Sequence, residues 1–166
     1  MVMATVRFPS GALAIGAAIG LALAVLAGSG PAAAQDAAKP YSVAPDGTVS
    51  WPVYSGYRRY HSDCHVCHGP DGMGSSFAPA LVDSLKHLSY DQFIDTVTNG
   101  KKDVSTSSDK VMPSFGVNPN VMCFIDDIYA YLKARSDGAI GRGRPEKHED
   151  KSAEAKARED NCLGTQ

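Results

Sequence analysis

The chain has 166 residues, of which 43% are hydrophobic and 20% are charged, and 16 Lys and Arg stand against 18 Asp and Glu. This length fits one domain of ordinary size. A formal net charge of −2 at pH 7 excludes the basic excess that is typical of nucleic-acid-binding domains.

The first 34 residues are typical of a secretory signal peptide. Arg7 is the only charged side chain before Asp36, residues 11–28 are apolar and uncharged, and residues 32–34 are a small-residue cleavage site. An uncleaved membrane anchor is the alternative, but an Ala- and Gly-rich run of 18 residues is at the short end for a membrane span. We predict cleavage after Ala34 and a soluble periplasmic protein.

The mature chain divides into three parts by composition. Residues 35–53 are polar, contain prolines and an Asp-Gly turn, and are predicted to form an N-terminal arm. Residues 54–135 contain the periodic apolar segments and are predicted to be an all-α domain. Within it, a first helix is predicted over residues 54–63, because Gly56, Tyr60 and Cys64 recur every four residues and so share one face.

The motif Cys64-His65-Val66-Cys67-His68 follows this helix. C-x-x-C-H is the attachment motif for a c-type haem. Two thiols at this spacing add to the two vinyl groups of the porphyrin, and the adjacent histidine supplies one axial nitrogen to the iron. A redox dithiol or half of a zinc site are the alternatives, but a βαβ context and two further closely spaced ligands are missing from the sequence. We predict one covalent haem c on Cys64 and Cys67, with His68 as an axial ligand.

The other two cysteines, Cys123 and Cys162, form the one remaining possible pair in an oxidising compartment. A disulfide between them would close about 40 residues and stabilise the fold by about 3–4 kcal/mol in the chain-entropy model. Two free thiols, or pairing of Cys162 between chains, are the alternatives.

Two more helices are predicted downstream. The first spans residues 89–99, where Ser89 and Gln92 have capping-box spacing and Gly100 ends the helix. Residues 101–110 are polar without periodicity and are predicted to be a surface loop. The second helix spans residues 119–134, with apolar side chains at i, i+3, i+4 and i+7.

Residues 136–166 are predicted to be a charged C-terminal extension, tied back to the body by the disulfide. A Gly-, Arg- and Pro-rich connection precedes residues 146–160, in which acidic and basic side chains are interleaved. This stretch is either a solvated helix or disordered, because it lacks an apolar face.

Met112 is the predicted second axial ligand of the iron. It follows the polar loop and precedes Pro113, which lacks an N–H group and suits an irregular segment lying against a ring. Met73 follows His68 too closely to reach the opposite face easily, and Met122 is predicted to pack at the start of a helix. A histidine or an open position remains an alternative.

An ordered set of motifs runs through residues 54–135: Gly56-x-x-x-Tyr60-x-x-x-Cys64-His65-Val66-Cys67-His68-Gly69, Pro79-x-Leu81, Met112-Pro113 and Ile128-Tyr129-Ala130-Tyr131-Leu132-Lys133. In this set the chain resembles the class I c-type cytochromes. The resemblance implies three to four helices around one covalent haem, with the first and last helices crossing near Gly56, Tyr60 and Tyr131. It also implies that the Pro79 carbonyl receives the ring N–H of His68.

A narrower resemblance comes from the lead-in Trp51-Pro52-Val53-Tyr54-Ser55-Gly56-Tyr57, the two extra cysteines and the charged tail. In these the chain resembles the four-cysteine cytochromes of methanol metabolism. That family implies a monomeric one-electron carrier. It takes electrons from a quinoprotein methanol or alcohol dehydrogenase, notably the lanthanide-dependent kind, and passes them to another cytochrome or a terminal oxidase.

Other functions are compatible with parts of the same sequence. A generic periplasmic electron carrier and a permanently bound haem subunit of another oxidoreductase are the main alternatives. A gas-binding sensor would need an open sixth position, against which Met112-Pro113 argues, and the chain offers no nucleophile–base set of its own for catalysis. Four lysines are either a steering surface for an acidic partner or merely solvated: Lys86, Lys101, Lys102 and Lys110.

Overall fold

The computed structural model describes residues 39–104 and 109–164, which belong to the unit Asp36–Gln166. The predicted signal peptide and its cleavage site after Ala34 lie outside the described residues. The helices are α1 (Trp51–Asp63), α2 (His65–His68), α3 (Leu81–Ser84), α4 (Tyr90–Asn99), α5 (Pro119–Met122), α6 (Ile125–Ser136) and α7 (Ala153–Leu163). Strands β1 (Lys101–Val104) and β2 (Asp109–Met112) form an antiparallel pair. The prediction of an all-α architecture is confirmed, with this small hairpin as its minor addition.

Helix α1 begins three residues before the predicted start. Pro52 lies in its first turn, where a residue without an N–H group loses no helical hydrogen bond. The N-terminal arm therefore ends at Ser50. The arm packs on the body through Val49, which is 1% exposed. Val49 forms one β-bridge with Val43 of the arm itself and another with His148 of the C-terminal extension.

The core forms where α1 crosses α6. Gly56 lies at the crossing, because a Cβ atom there would be 2.8 Å from the Cβ of Tyr131 and closer still to the backbone of Asp127. Tyr60 and Tyr131 are fully buried beside it. Their ring centroids are 5.7 Å apart, a separation at which aromatic pairs attract each other. The implied crossing near Gly56, Tyr60 and Tyr131 is therefore present.

The predicted capping box of α4 is confirmed. The Ser89 hydroxyl accepts the backbone N–H of Gln92, and the Gln92 side chain accepts the backbone N–H of Ser89. Phe93 and Val97 are the buried face of this helix, and Gly100 ends it at φ 74°.

Two predicted segments differ in the structure. Residues 101–110 are predicted to be a surface loop, but β1 and β2 pair across this segment, with Lys101 opposite Met112. Both faces of β1 are exposed, so the sequence has no apolar alternation to reveal the strands. The single helix predicted over residues 119–134 is two helices, because the backbone at Phe124 (φ −126°, ψ 15°) leaves helical geometry. The apolar period continues across that break and conceals it.

The C-terminal extension contains the helix α7. Of the two alternatives for its charged stretch, a solvated helix or disorder, the helix is therefore the one present. The Ser152 hydroxyl caps the helix by accepting the N–H of Ala155, and Gly164 ends it in the left-handed conformation. Ala155 and Glu159, one turn apart, are its buried side chains. No helix in the described part of the chain has both the length and the apolar composition that crossing a bilayer requires.

Candidate haem site

The ring of His68 is held in one orientation by a backbone carbonyl. His68 ends α2 and is 8% exposed, and its Nδ1 lies 3.0 Å from the carbonyl oxygen of Pro79. Since a carbonyl only accepts, Nδ1 is the donor and carries the proton. Nε2 is left as the nitrogen with a free lone pair, which is the arrangement that a histidine ligand of a metal requires.

Two glycines let the loop after His68 fold tightly enough to bring Pro79 to it. Gly74 has φ +83°, and a Cβ atom there would lie 2.7 Å from the backbone nitrogen of Ala80. Its N–H donates to the His68 carbonyl at 2.7 Å. Gly69 has φ +72°, and a Cβ atom there would lie 2.2 Å from the Gly74 oxygen. Side chains at either position would push the loop away from the histidine.

The hydroxyl of Tyr60 holds the same loop from the helix side. It donates to the carbonyl of Gly69 and accepts the N–H of Gly72 at 3.0 Å. Burial raises the pKa of Tyr60 well above its ordinary value, so the hydroxyl keeps its proton and can play both parts. Tyr60 thus has two roles: its ring packs at the helix crossing, and its hydroxyl holds the loop after His68.

Of the two cysteines of the motif, Cys64 lies between α1 and α2 and is half-buried, and Cys67 lies within α2 and is exposed. Burial, and then the charges of Asp63 and Cys67, raise the pKa of Cys64 to about 12. Within the described residues, no group of three or more His, Cys, Asp or Glu side chains could hold a metal ion.

Met112 lies at the end of β2, half-buried and packed against the core. Its position depends on Gly100 (φ +74°), where a Cβ atom would lie 2.5 Å from the Met112 carbonyl oxygen. The other two candidates lie elsewhere: Met73 is 45% exposed with its sulfur 3.7 Å from Nη2 of Arg135, and Met122 ends α5. The axial role of Met112 stays a prediction.

A disulfide joins Cys123 to Cys162, with a Cα–Cα distance of 5.7 Å. Cys123 lies at the turn between α5 and α6, and Cys162 lies in the last turn of α7. The crosslink therefore attaches α7 of the C-terminal extension to the turn between α5 and α6.

Asp71, a buried carboxylate in the loop after His68, is not among the site residues predicted from the sequence. It has φ 58°, a left-handed conformation that is uncommon for a residue other than glycine. Its position between Pro70 and Gly72 was the one available signal.

The haem fits this donor set. Cys64 and Cys67 offer two unpaired thiols one helical turn apart, and His68 has an oriented ring with Nε2 available. Cys64 and Cys67 would supply the attachment and His68 one axial nitrogen, with Met112 as the predicted sixth ligand.

Comparisons with known proteins identify relatives of the chain. A family model described as cytochrome c oxidase, cbb3-type, subunit III matches residues 52–132. The chain is 54% identical to cytochrome c-553I of Paracoccus denitrificans over 123 residues, which are 74% of this chain and 54% of that protein. The chain therefore spans about half the length of that relative.

Two further relatives are covered more fully. Cytochrome c-555 of Methylococcus capsulatus (strain ATCC 33009 / NCIMB 11132 / Bath) is 41% identical over 100 residues, which are 60% of this chain and 75% of that protein. The crystal structure of the c-type cytochrome XoxG from Methylobacterium extorquens AM1 matches with a TM-score of 0.65 and 49% identity, over 75% of this chain and 82% of that one. The chain belongs to the class I c-type cytochromes, electron-transfer proteins that carry covalently bound haem c.

Proposed function

We propose that this cytochrome is a periplasmic one-electron carrier for methanol oxidation. It accepts electrons from a quinoprotein methanol or alcohol dehydrogenase and passes them to a downstream cytochrome or oxidase. The observation that carries the proposal is the similarity outside the haem domain. The 123 residues aligned with cytochrome c-553I exceed the haem domain, so the relationship continues into the arm, the extension or both. Those are the segments that distinguish the four-cysteine cytochromes of methanol metabolism.

The extension of this chain is an ordered part of the protein. The Cys123–Cys162 disulfide attaches α7, and His148 stacks on Tyr54 of the lead-in with ring centroids 3.6 Å apart. The ring centroid of Trp51 lies 6.2 Å from that of the same histidine. The lead-in, the extra cysteines and the tail thus form one connected structure, as expected if they were retained together for one partner.

The residues around His68 suit repeated electron transfer. Bound haem c supplies a ferric/ferrous couple. The Pro79 carbonyl fixes the His68 ring, and Tyr60 fixes the loop that carries Gly69 and Gly72. A ligand that is held by neighbours in both oxidation states moves little, and this keeps the reorganisation energy low. With Met112 as sixth ligand, no coordination position is left for a substrate.

The compartment is part of the proposal. An export signal that is removed after Ala34 would deliver the chain to the periplasm, where haem c is attached and disulfides persist. The Cys123–Cys162 crosslink supports an oxidising compartment.

Anaerobic mixing tests the function. The oxidised cytochrome is mixed with a purified quinoprotein methanol dehydrogenase and methanol, and haem reduction is followed optically. We expect fast, saturable reduction, with two cytochromes consumed for each methanol oxidised. An unrelated class I cytochrome of the same concentration is the control. Reduction no faster than in that control would contradict the donor assignment and leave a generic periplasmic carrier.

A further inference from the structure

Asp71 is a buried carboxylate for which neither haem attachment nor electron transfer gives a reason. It is 6% exposed and lies three residues after His68, within the turn Pro70–Gly72. A charged side chain at this depth is rare unless it has partners. Its partners are therefore informative about what it does.

The carboxylate reaches the C-terminal extension, which is distant in sequence. Nε of Arg142 lies 3.3 Å from Oδ2, and the backbone N–H of Gly143 donates to Oδ1 at 3.1 Å. These two groups come from the same short segment, so the extension binds both oxygens of one carboxylate. The contact closes a chain loop of 71 residues.

Groups from the two crossing helices complete the surroundings of Asp71. From α6, the hydroxyl of Tyr131 lies 3.4 Å from Oδ1, and Nε of Arg135 lies 3.4 Å from the Asp71 backbone oxygen. From α1, Nε2 of His61 lies 3.6 Å from Oδ1. Asp71 is thus the point at which α1, α6 and the extension meet the loop after the haem motif.

The carboxylate stays ionised despite its burial. Burial raises its pKa, but the hydrogen bonds from Gly143 and Arg142 and the charges of His61 and Arg135 outweigh that effect and hold the pKa below its ordinary value. Removing a partner would leave a buried charge uncompensated, which is costly. The loop is therefore bound to the extension by charge as well as by hydrogen bonds.

The loop that Asp71 anchors is the one that positions His68. On one side of Asp71, Gly72 donates to Tyr60, and further on Gly74 donates to the His68 carbonyl. Gly74 also lies against the Pro79–Ala80 backbone, which provides the carbonyl that orients the His68 ring. Displacement of the turn at Asp71 would reach His68 along this short path.

We propose that Asp71 is a positioning residue through which Arg142 and Gly143 of the C-terminal extension hold the His68 loop closed. In this role the extension acts on the haem ligand through a segment that precedes α7, the helix to which the disulfide is attached. The proposal does not depend on which dehydrogenase is the donor, and it rests on His68 being the axial ligand.

The test compares three variants of the full-length holo-cytochrome. Arg142→Gln removes the charged partner, and the Arg142 side chain is 64% exposed, so folding should survive. Asp71→Asn removes the charge but keeps an acceptor for Gly143, and asparagine tolerates the left-handed conformation. The matched control is Lys147→Gln, which breaks an exposed contact between the extension and Asp46 without touching Asp71.

Amide hydrogen exchange at Gly72 and Gly74 is the first readout. We expect exchange at least about fivefold faster in Arg142→Gln and Asp71→Asn, because the local opening loses a charge-assisted contact. Exchange in Lys147→Gln should equal that of the wild type, and Arg142→Lys should recover part of the protection. The proposal would be overturned if exchange accelerated by less than about fivefold, or if Lys147→Gln accelerated it equally. It would also be overturned if the amides of α1 exchanged faster to the same extent.

The NMR shifts of the haem methyl groups in the ferric protein are the second readout, since they depend on the orientation of the axial histidine. They should change in Arg142→Gln and Asp71→Asn and stay unchanged in Lys147→Gln. Faster exchange with unaltered methyl shifts would reduce Asp71 to a merely structural contact and overturn the positioning role.

Discussion

Gly56 of α1 lies directly against the backbone of Asp127 in α6: a Cβ atom at Gly56 would be 1.8 Å from the Asp127 carbonyl oxygen. The two helices therefore meet backbone to backbone at this point. Since Cys64 follows the end of α1, the crossing sets where the haem motif begins. The extension is attached close by, through Arg158, whose Nη2 lies 3.4 Å from Oδ1 of Asp127.

Gly56→Ala is expected to destabilise the protein by about 3 kcal/mol or more, at or above the upper end of overpacking effects. The backbone oxygen of Asp127 cannot rotate away as a side chain would, so the helices must separate. Guanidinium unfolding of the holo-protein measures the change. Gly141→Ala is the matched control, because a Cβ atom there has nothing within 4 Å. Equal stability of the two variants would contradict the close crossing.

Removing the disulfide in the double variant Cys123→Ala/Cys162→Ala is expected to lower the free energy of unfolding by about 3–4 kcal/mol, from the loop that the crosslink closes. The Cys123–Cys162 sequence separation is 39. The visible spectrum should be unchanged, since these cysteines do not attach haem. Chemical unfolding followed by circular dichroism provides the measurement. A loss below about 1 kcal/mol would mean that α7 is held by its other contacts and not by the crosslink.

Met112→Ala is expected to open the sixth position of the iron. The ferrous variant should bind carbon monoxide at neutral pH, and the reduction potential should fall, because methionine ligation raises it. Met122→Ala is the control, in which the wild-type spectrum should persist. Carbon monoxide binding by Met122→Ala but not by Met112→Ala would reassign the ligand.

Lys101→Glu is expected to slow reduction by the dehydrogenase about threefold or more at low salt, if the hairpin steers an acidic partner. Lys101 is exposed and lies directly opposite Met112 in the β1–β2 register. Stopped-flow rates at several salt concentrations measure the effect, which should fade as salt increases. Lys156→Glu on α7 makes the same charge change at another exposed position. Equal slowing by both would indicate net charge rather than docking at the hairpin.

Local signals in the sequence predicted much of this fold. The capping box at Ser89 and Gln92 depends on residues three apart, and the Gly56–Tyr60 face depends on residues one turn apart. Both are properties of a single helix. The hairpin was missed because β1 is exposed on both faces and has no alternating pattern.

The role of Asp71 could not be read from the sequence for a different reason. Its partners Tyr131 and Arg142 lie 60 and 71 residues away. Nothing in the local pattern links these positions, and only the folding of α6 and the extension against the loop after His68 brings them together. The motif residues Cys64, Cys67 and His68, in contrast, lie within five consecutive positions because one cofactor requires them at a fixed spacing.

The intact mass of the protein purified from the periplasm, taken with thiol alkylation, tests the central claim most directly. The account predicts the mass of residues 35–166 plus one haem, with no alkylatable thiol before reduction and two after it. Cys64 and Cys67 are then blocked as thioethers, and Cys123 and Cys162 are released from their disulfide. A mass without haem, or four alkylatable thiols after reduction, would contradict covalent attachment at Cys64 and Cys67.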